Sequence, residues 1–559
     1  MKYSFWLLTA LLWGWLSPAA WAQGTVRRHL IYFQDKAGTP YSVSQPQAFL
    51  SARALARRSR QGIAVRARDL PVSPAYVAQV RAVSGSPQVR YTSRWLNAAV
   101  VACDSATLGR IYQLPSVKGG QTLSRLPEAP RSAPTPVAAS AARTPADARA
   151  TYGKAYAQNE LIGAVAMHAA GYRGEGMQIA VFDAGFPGAD QIGPLQLLQQ
   201  QGRVAGTRNF VDGGTSVYQR NSHGTNCLGL IGGELPGTYV GTAPHATFHL
   251  CITEDVASEY PVEEANWLAA AEYADSAGVD VISSSLGYNT FDRPAASHTY
   301  ADLNGRTAIS SLAALGAARV GMVVVNSAGN DGNNSWHYIA VPADADSIIT
   351  VGAVDSLRQH AGFSSYGPTA DGRIKPTLSA MGVASAVLSA TGGISRGNGT
   401  SYACPELAGL VAGFWQANPT LTAQQVIAAL CRAASQAQAP DNTLGYGIPN
   451  FVAAYNLLHA SAPLDSTGVA PGGARLGIYP NPNRSGELTL VLPPALWRRA
   501  LRVRVLDAKG AVVLERSLPA QATAEAPLRP ARQLAPGTYQ CVVQPLAGGA
   551  SQTVRFTQQ

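Results

Sequence analysis

The feature that most restricts the fold of this chain is a set of short, unbroken apolar runs alternating with Ala-rich helical patterns. The runs are "MQIAVFDAG" at 177–185, "ATFHLCIT" at 246–253, "VDVISSSLG" at 279–287, "GMVVVNSAGN" at 321–330 and "SIITVGAV" at 347–354. A strand that faces water on one side alternates apolar with polar residues. A strand buried on both faces does not, and that is the pattern of a parallel sheet. Between the runs lie "HGTNCLGLIGG", "EEANWLAAAEYADSAG", "TAISSLAALGAARVG" and "PELAGLVAGFWQ", each apolar at helical spacing. Strand and helix in alternation predict an α/β fold, a mostly parallel sheet with helices on both faces. Function in such sheets gathers at the carboxyl ends of the strands.

Those ends carry polar residues that a buried strand tolerates only for a reason. Asp183 stops the first run, followed by Gly185. Taken singly, such an Asp is as easily a turn or helix cap. "NSHGTNCLGLIGG" puts His223 at the opening of an apolar helix, and "VVVNSAGN" leads through Ser327 and Gly329 to Asn330. A lone histidine is usually structural, and an Asn after Gly usually a turn. "GNGTSYACP", 397–405, delivers Ser401 from a loop of small residues to a helix start, where free N–H groups and the helix dipole favour developing negative charge. Gly397, Gly399 and Thr400 read as small residues that let a substrate carbonyl approach. Together the four supply a nucleophile, a base, an orienting carboxylate and an oxyanion donor.

With "VFDAGF", "NSHGTNCLGLIGG", "SAGN" and "GNGTSYACP" in the order Asp, His, Ser, the sequence resembles the subtilisin-like serine proteases, the subtilases of peptidase family S8. The resemblance covers roughly residues 150–455. It implies a secreted endopeptidase with catalytic Asp183, His223 and Ser401, an oxyanion hole at Asn330, and no cofactor needed for the chemistry. "VISSSLGY" resembles the family's substrate-binding strand, so Ser285, Leu286 and Gly287 would lie beside the peptide, and the polar run Ser283 to Ser285 calls for an exposed edge. "SHGT" disfavours a related family with Glu in place of the His. The rival from another class is a catalytically silent surface protein that keeps the fold as a binding scaffold.

The flanks divide the rest. Residues 1–22 have the charge, apolar core and small-residue cleavage pattern of a secretory leader. Residues 23–126 form a helix-and-strand segment that resembles an inhibitory propeptide, and 127–149 read as a Pro- and Ala-rich linker. The catalytic unit would span 150–460, a second linker 461–475, and a β module 476–559. In that module "LRVRVLDAKGAVVLE" alternates as a hairpin. "IYPNPNRSGELTLVL", "LAPGTYQCVVQ" and "VRFTQQ" resemble the C-terminal sorting domain of type IX secretion substrates, which implies export across both membranes to the cell surface or medium. A carbohydrate-binding β domain is the alternative.

Net charge, +10 overall, excludes less than it suggests. Residues 24–125 hold fifteen Lys or Arg against three Asp, a local +12, so the remainder sums to −2. The densest run, "RALARRSR", reads as a solvated face, and no nucleic-acid partner is expected. The expected partners are protein or peptide substrates, the chain's own propeptide and the type IX machinery, with a monomeric chain. The six cysteines form no metal-type cluster. Cys227 and Cys404 read as small buried side chains, a disulfide between them being the less favoured alternative. "VPADADS" and "NDGNN" offer oxygen ligands for a structural Ca²⁺ without matching a defined loop. The acidic segment Glu254, Asp255, Glu259, Glu263 and Glu264 reads either as a charged solvent face or as a preference for Lys or Arg before the scissile bond.

Overall fold

The computed structural model describes residues 25–124, 146–461, 463–468, 476–483, 487–492, 496, 499–520, 525–530, 534–546 and 551–559. The leader and most of both linkers lie outside the described residues. The last residues of the first linker are helical, within Ala146–Tyr152.

The central sheet has seven strands, all parallel: β1 Gln178–Asp183, β2 Val204–Asn209, β3 Thr247–Ile252, β4 Val281–Ser284, β5 Val323–Ser327, β6 Ile349–Val354 and β7 Leu378–Met381. Their order across the sheet is β7-β6-β5-β4-β1-β3-β2. Each of the five apolar runs is one of these strands, and β1, β3, β4, β5 and β6 are buried nearly throughout. Alternate residues of β1 feed two cores. Ile179 and Val181 join one face, which packs helices α1 His223–Gly232 and α4 Thr400–Ala417, while Ala180 and Phe182 join the other, under α2 Val262–Ala277 and α3 Ile309–Arg319. After β1 the chain moves outward to β2, returns through β3, and crosses to β4 on the opposite side of β1. The strand order therefore reverses at β1, and the crevice outside its carboxyl end is where such a fold binds ligands.

The N-terminal segment is a four-stranded antiparallel sheet in the order Gln88–Ser93, Ala98–Cys103, Arg27–Phe33, Val117–Ser124, with helices Ala52–Arg60, Pro74–Arg81 and Ser105–Ile111. The C-terminal segment has a three-stranded and a four-stranded sheet that share one apolar core. Its expected hairpin is the antiparallel pair Leu501–Leu506 and Val512–Leu518, with Leu501, Val503 and Val505 facing inward. No helix among the described residues is long and apolar enough to cross a membrane.

The basic run is not a solvated face. Arg57 and Arg58, 1% and 2% exposed, and Arg94 all converge on the fully buried Asp275 near the end of α2. Arg58 Nη2 and Arg94 Nη2 lie 2.7 and 2.6 Å from Asp275 Oδ2, and Arg57 Nη2 bonds Oδ1. Arg58 also reaches Asp69 at 3.0 Å. On the same helix Glu272 accepts from Ser93 Oγ at 2.6 Å and from the Arg94 and Trp95 N–H groups at 2.8 and 3.1 Å. The buried guanidiniums of the N-terminal segment are thus paired within the chain. Replacing Asp275 by Ala leaves three buried guanidiniums short of their counter-charge, so urea unfolding of the intact chain should show a loss of about 3–5 kcal/mol. A loss below about 1 kcal/mol would mean that water compensates these groups.

Candidate active site

Asp183 is fully buried at the end of β1, and it is satisfied from two sides. Oδ1 accepts the Ala184 N–H at 2.8 Å, and both carboxylate oxygens meet His223 Nδ1, at 2.8 and 3.0 Å. The imidazole is part-exposed, its side chain 29% accessible, so it bridges a buried charge and the cleft. Gly224 makes this approach possible: a Cβ there would sit 2.3 Å from the Gly185 carbonyl oxygen and 2.9 Å from Asp183 Cβ. The backbone of His223 is pinned by its N–H to Asn221 Oδ1 at 2.9 Å. Burial disfavours the imidazolium, but the Asp183 charge, with smaller contributions from Cys227, outweighs it and holds the His223 pKa well above the ordinary histidine value.

Ser401 sits in the first turn of α4. Pro405, four residues on, has no N–H to give the Ser401 carbonyl, so the helix leaves that oxygen without its usual donor. Ser285 Oγ supplies one at 2.7 Å, and Cys227 Sγ approaches it at 3.5 Å. Cys227 Sγ also lies 3.8 Å from His223 Nδ1, so one small side chain on α1 touches both the imidazole and the backbone of the serine. The Tyr402 ring covers the other flank, its centroid 5.9 Å from that of His223. Ser401 Oγ is turned to the Ser285 carbonyl oxygen, 3.4 Å away.

Asn330 follows β5 and is exposed. Its Oδ1 accepts the Thr400 N–H at 2.9 Å and lies 3.0 Å from Thr400 Oγ1. A backbone N–H must be met by an acceptor, which fixes the amide orientation and leaves Nδ2 as a donor with no partner among the described residues. Asp183, His223, Asn330 and Ser401 are therefore gathered at the carboxyl ends of β1 and β5 and the starts of α1 and α4.

Three expectations are corrected here. Thr400 is a fully buried clamp on Asn330 and Gly329, not a gap for substrate. Gly397 is small because Tyr402 lies over it, a Cβ there meeting the ring at 2.4 Å, while Gly399 has the positive φ of 153° that an L side chain adopts with strain. The serine run is not an exposed edge. β4 is an interior strand, where Ser284 Oγ accepts from Trp267 Nε1 at 2.9 Å and Ser285 holds Ser401. Of the three residues expected beside a peptide, Ser285 and Leu286 are 6% and 8% exposed, and only Gly287 opens to solvent. The Leu286 carbonyl already accepts from Asn326 Nδ2 at 3.0 Å.

All six cysteines are unpaired and buried, and Cys227 and Cys404 are not joined. Cys404 Sγ instead reaches the Ser284 and Val325 carbonyl oxygens at 3.4 and 3.3 Å, tying α4 to the strand ends. The acids of "VPADADS" and "NDGNN" are engaged within the chain. Asp344 accepts from Ser311 Oγ and from the Gly305 N–H, and Asp331 from Asn289 and Asn334. The contributions of Thr400, Cys227 and Ser285 Oγ had no signal of their own in the sequence, although Pro405 could have pointed to a missing donor.

Residues 174–447 match the subtilase family, and residues 28–135 match the peptidase S8 propeptide domain of Bacteroidota. Subtilisin NAT of Bacillus subtilis subsp. natto is 33% identical over 269 residues, 47% of this chain and 62% of that protein. The chain thus spans less than two thirds of that relative. Subtilisin DY of Bacillus licheniformis is 31% identical over 270 residues, 48% of this chain and 86% of its own length. Subtilisin of Bacillus pumilus is 33% identical over 269 residues, 47% of this chain and 86% of its own length. Sequence, fold and the gathered side chains agree, and the chain belongs to the subtilase family.

Proposed function

We propose that this chain is a secreted serine endopeptidase made as a zymogen. The observation that carries the reading is a buried Asp183 bound through both oxygens to His223 Nδ1, with Ser401 held at a helix start across Cys227. Asp183 keeps the imidazole in the tautomer with its proton on Nδ1, which leaves Nε2 as the base. Ser401 Oγ turns from the Ser285 carbonyl to His223 Nε2, gives up its proton and attacks the peptide carbonyl. The imidazolium, stabilised by Asp183, returns that proton to the leaving amine. Water then repeats the sequence on the acyl-enzyme. The oxyanion is met by Asn330 Nδ2 and the Ser401 N–H. Oxygen clamped to Thr400 costs the Asn amide no reorganisation during the reaction. The peptide lies along Ser285, Leu286 and Gly287, chiefly at the open Gly287. No cofactor takes part in the chemistry.

The segment matching the propeptide domain would act as the chain's own inhibitor and folding partner, cut within 125–150. The C-terminal sheets would serve export through the type IX machinery. They touch the catalytic unit at the Tyr479 ring, 4.7 Å from that of His245, and at Arg173, 3.3 Å from Glu525. If export from the native host is unchanged after deletion of 476–559, the sorting role is wrong.

Ser401→Ala should lower hydrolysis of casein and peptide substrates by about 10⁶-fold, the scale known for nucleophile loss in subtilisin, and should leave residues 25–150 attached by mass spectrometry. Activity retained by the variant would end the proposal, and equal inactivity of both forms would favour the silent scaffold. Asn330→Leu should cost about 10²–10³ in kcat with KM little changed, again the magnitude found in subtilisin itself. The acid limb of kcat/KM should lie above the ordinary histidine pKa, because neutral His223 is the active form and Asp183 raises its pKa. In Asp183→Asn that limb should move to lower pH as kcat falls by about 10⁴. A limb that stays in place would assign it to another group.

A further inference from the structure

The acidic segment after β3 is neither a solvated face nor one uniform charge. Asp255 pairs with Arg220 at 3.0 Å, and Glu264 is committed to His298 at 2.9 Å and to the Ser310 N–H and hydroxyl. The other three converge. One carboxylate oxygen each from Glu254, Glu259 and Glu263 lies within 4.8 Å of the others. Glu254 and Glu263 are 8% and 1% exposed, and Glu259 closes the solvent side.

Two observations show what this cluster lacks. Glu263 accepts the Asp255 N–H at 2.9 Å on one oxygen and the Tyr260 N–H at 3.3 Å on the other, in the first turn of α2. Burial, with the charges of Glu254 and Glu259, nevertheless holds the Glu263 pKa well above the ordinary carboxylate value, so the two N–H donors do not offset the crowding of three carboxyls. Independently, Glu254 Oε2 and the Tyr288 hydroxyl are both buried without a hydrogen-bond partner among the described residues. Tyr288 is 1% exposed, and Glu254 is the carboxylate that most strongly disfavours its phenolate. The guanidinium this segment does engage, Arg220, is shared between Asp255 and Asp212. Three mutually repelling carboxyls and two unpartnered buried oxygens therefore gather here, and no ion pair of the described residues joins Glu254, Glu259 or Glu263.

We propose that Glu254, Glu259 and Glu263, with the Tyr288 hydroxyl, form a binding site for one hard divalent cation of calcium size. Oxygens spaced within 4.8 Å can share an ion at about 2.4 Å, the Ca²⁺–oxygen distance, and water at the Glu259 side completes the six to eight ligands. Mg²⁺, which demands near-octahedral ligands at about 2.1 Å, fits this spacing less well. The ion would lie immediately behind the peptide-binding edge. Tyr288 follows Gly287, and the residue before Glu254, Thr253, donates its N–H to the Asp183 carbonyl at 3.0 Å. Without a cation, burial and the charge of Glu259 push the Glu254 carboxyl upward, so the alternative occupants are protons.

The test uses the full chain carrying Ser401→Ala, which prevents autolysis, stripped with chelator and titrated with CaCl₂ by calorimetry and by thermal unfolding. The inference expects one more equivalent of Ca²⁺ than in the same chain with Glu254→Gln, and a Ca²⁺-induced rise in Tm that shrinks in that variant. Glu259→Gln, at the solvent side, should weaken the same equivalent at least tenfold, and it decides the matter if Glu254→Gln does not fold. Equal stoichiometry and affinity across the chains, or no Ca²⁺ binding by any of them, would overturn the site and leave the cluster as carboxyls sharing protons.

Discussion

A fully buried carboxylate at the end of the central strand is the constraint around which this molecule is arranged. Asp183 cannot remain charged in an apolar sheet end without partners. It obtains them from the Ala184 N–H and from an imidazole carried by a different element. Bringing that element close enough requires Gly224, whose missing Cβ lets α1 touch the turn after β1. The reversal of strand order at β1 leaves a crevice there, so the same geometry that neutralises the carboxylate presents the imidazole to ligand.

The second centre of organisation is the start of α4. A proline inside a helix normally costs stability, because it removes one hydrogen bond and crowds the preceding turn. Here the freed carbonyl belongs to Ser401, and Ser285 from the end of β4 takes the vacant position. Thr400 next to it clamps Asn330. Ser401 and Asn330, 71 residues apart in the chain, are thus tied to each other and to two strands. Fixed polar groups of this kind are what electrostatic catalysis needs, since they need not reorient as charge develops.

Charge is distributed with similar economy. Arg57, Arg58 and Arg94 of the N-terminal segment meet Asp275 on α2 inside the contact, and Glu272 on the same helix accepts from Ser93 and two backbone N–H groups. At the opposite end of α2, Glu263 meets Glu254 and Glu259 of the preceding segment instead of a guanidinium. The two ends of α2 therefore differ: Asp275 lies among three guanidiniums, and Glu263 lies among carboxyls.

Much of this was legible from the residues alone. Uninterrupted apolar runs such as "IAVFD" and "GMVVV" require burial on both faces, and this fixed the parallel sheet, its helices and the polar residues at its ends. The C-terminal hairpin followed from strict alternation at Leu501, Val503 and Val505. The sequence misled where a polar residue's role depends on what faces it. "RALARRSR" and "EDVASEYPVEE" have the composition of solvent faces, and "SSS" that of an edge, yet Arg57, Arg58, Glu254, Glu263, Glu264 and all three serines are buried. Periodicity and local chemistry are properties of a segment, so the sequence by itself determined the fold class and the four polar residues at strand ends and helix starts. Whether a charge is paired, a threonine clamps or a serine replaces a missing N–H depends on groups tens to hundreds of residues away, and only the tertiary structure decided it.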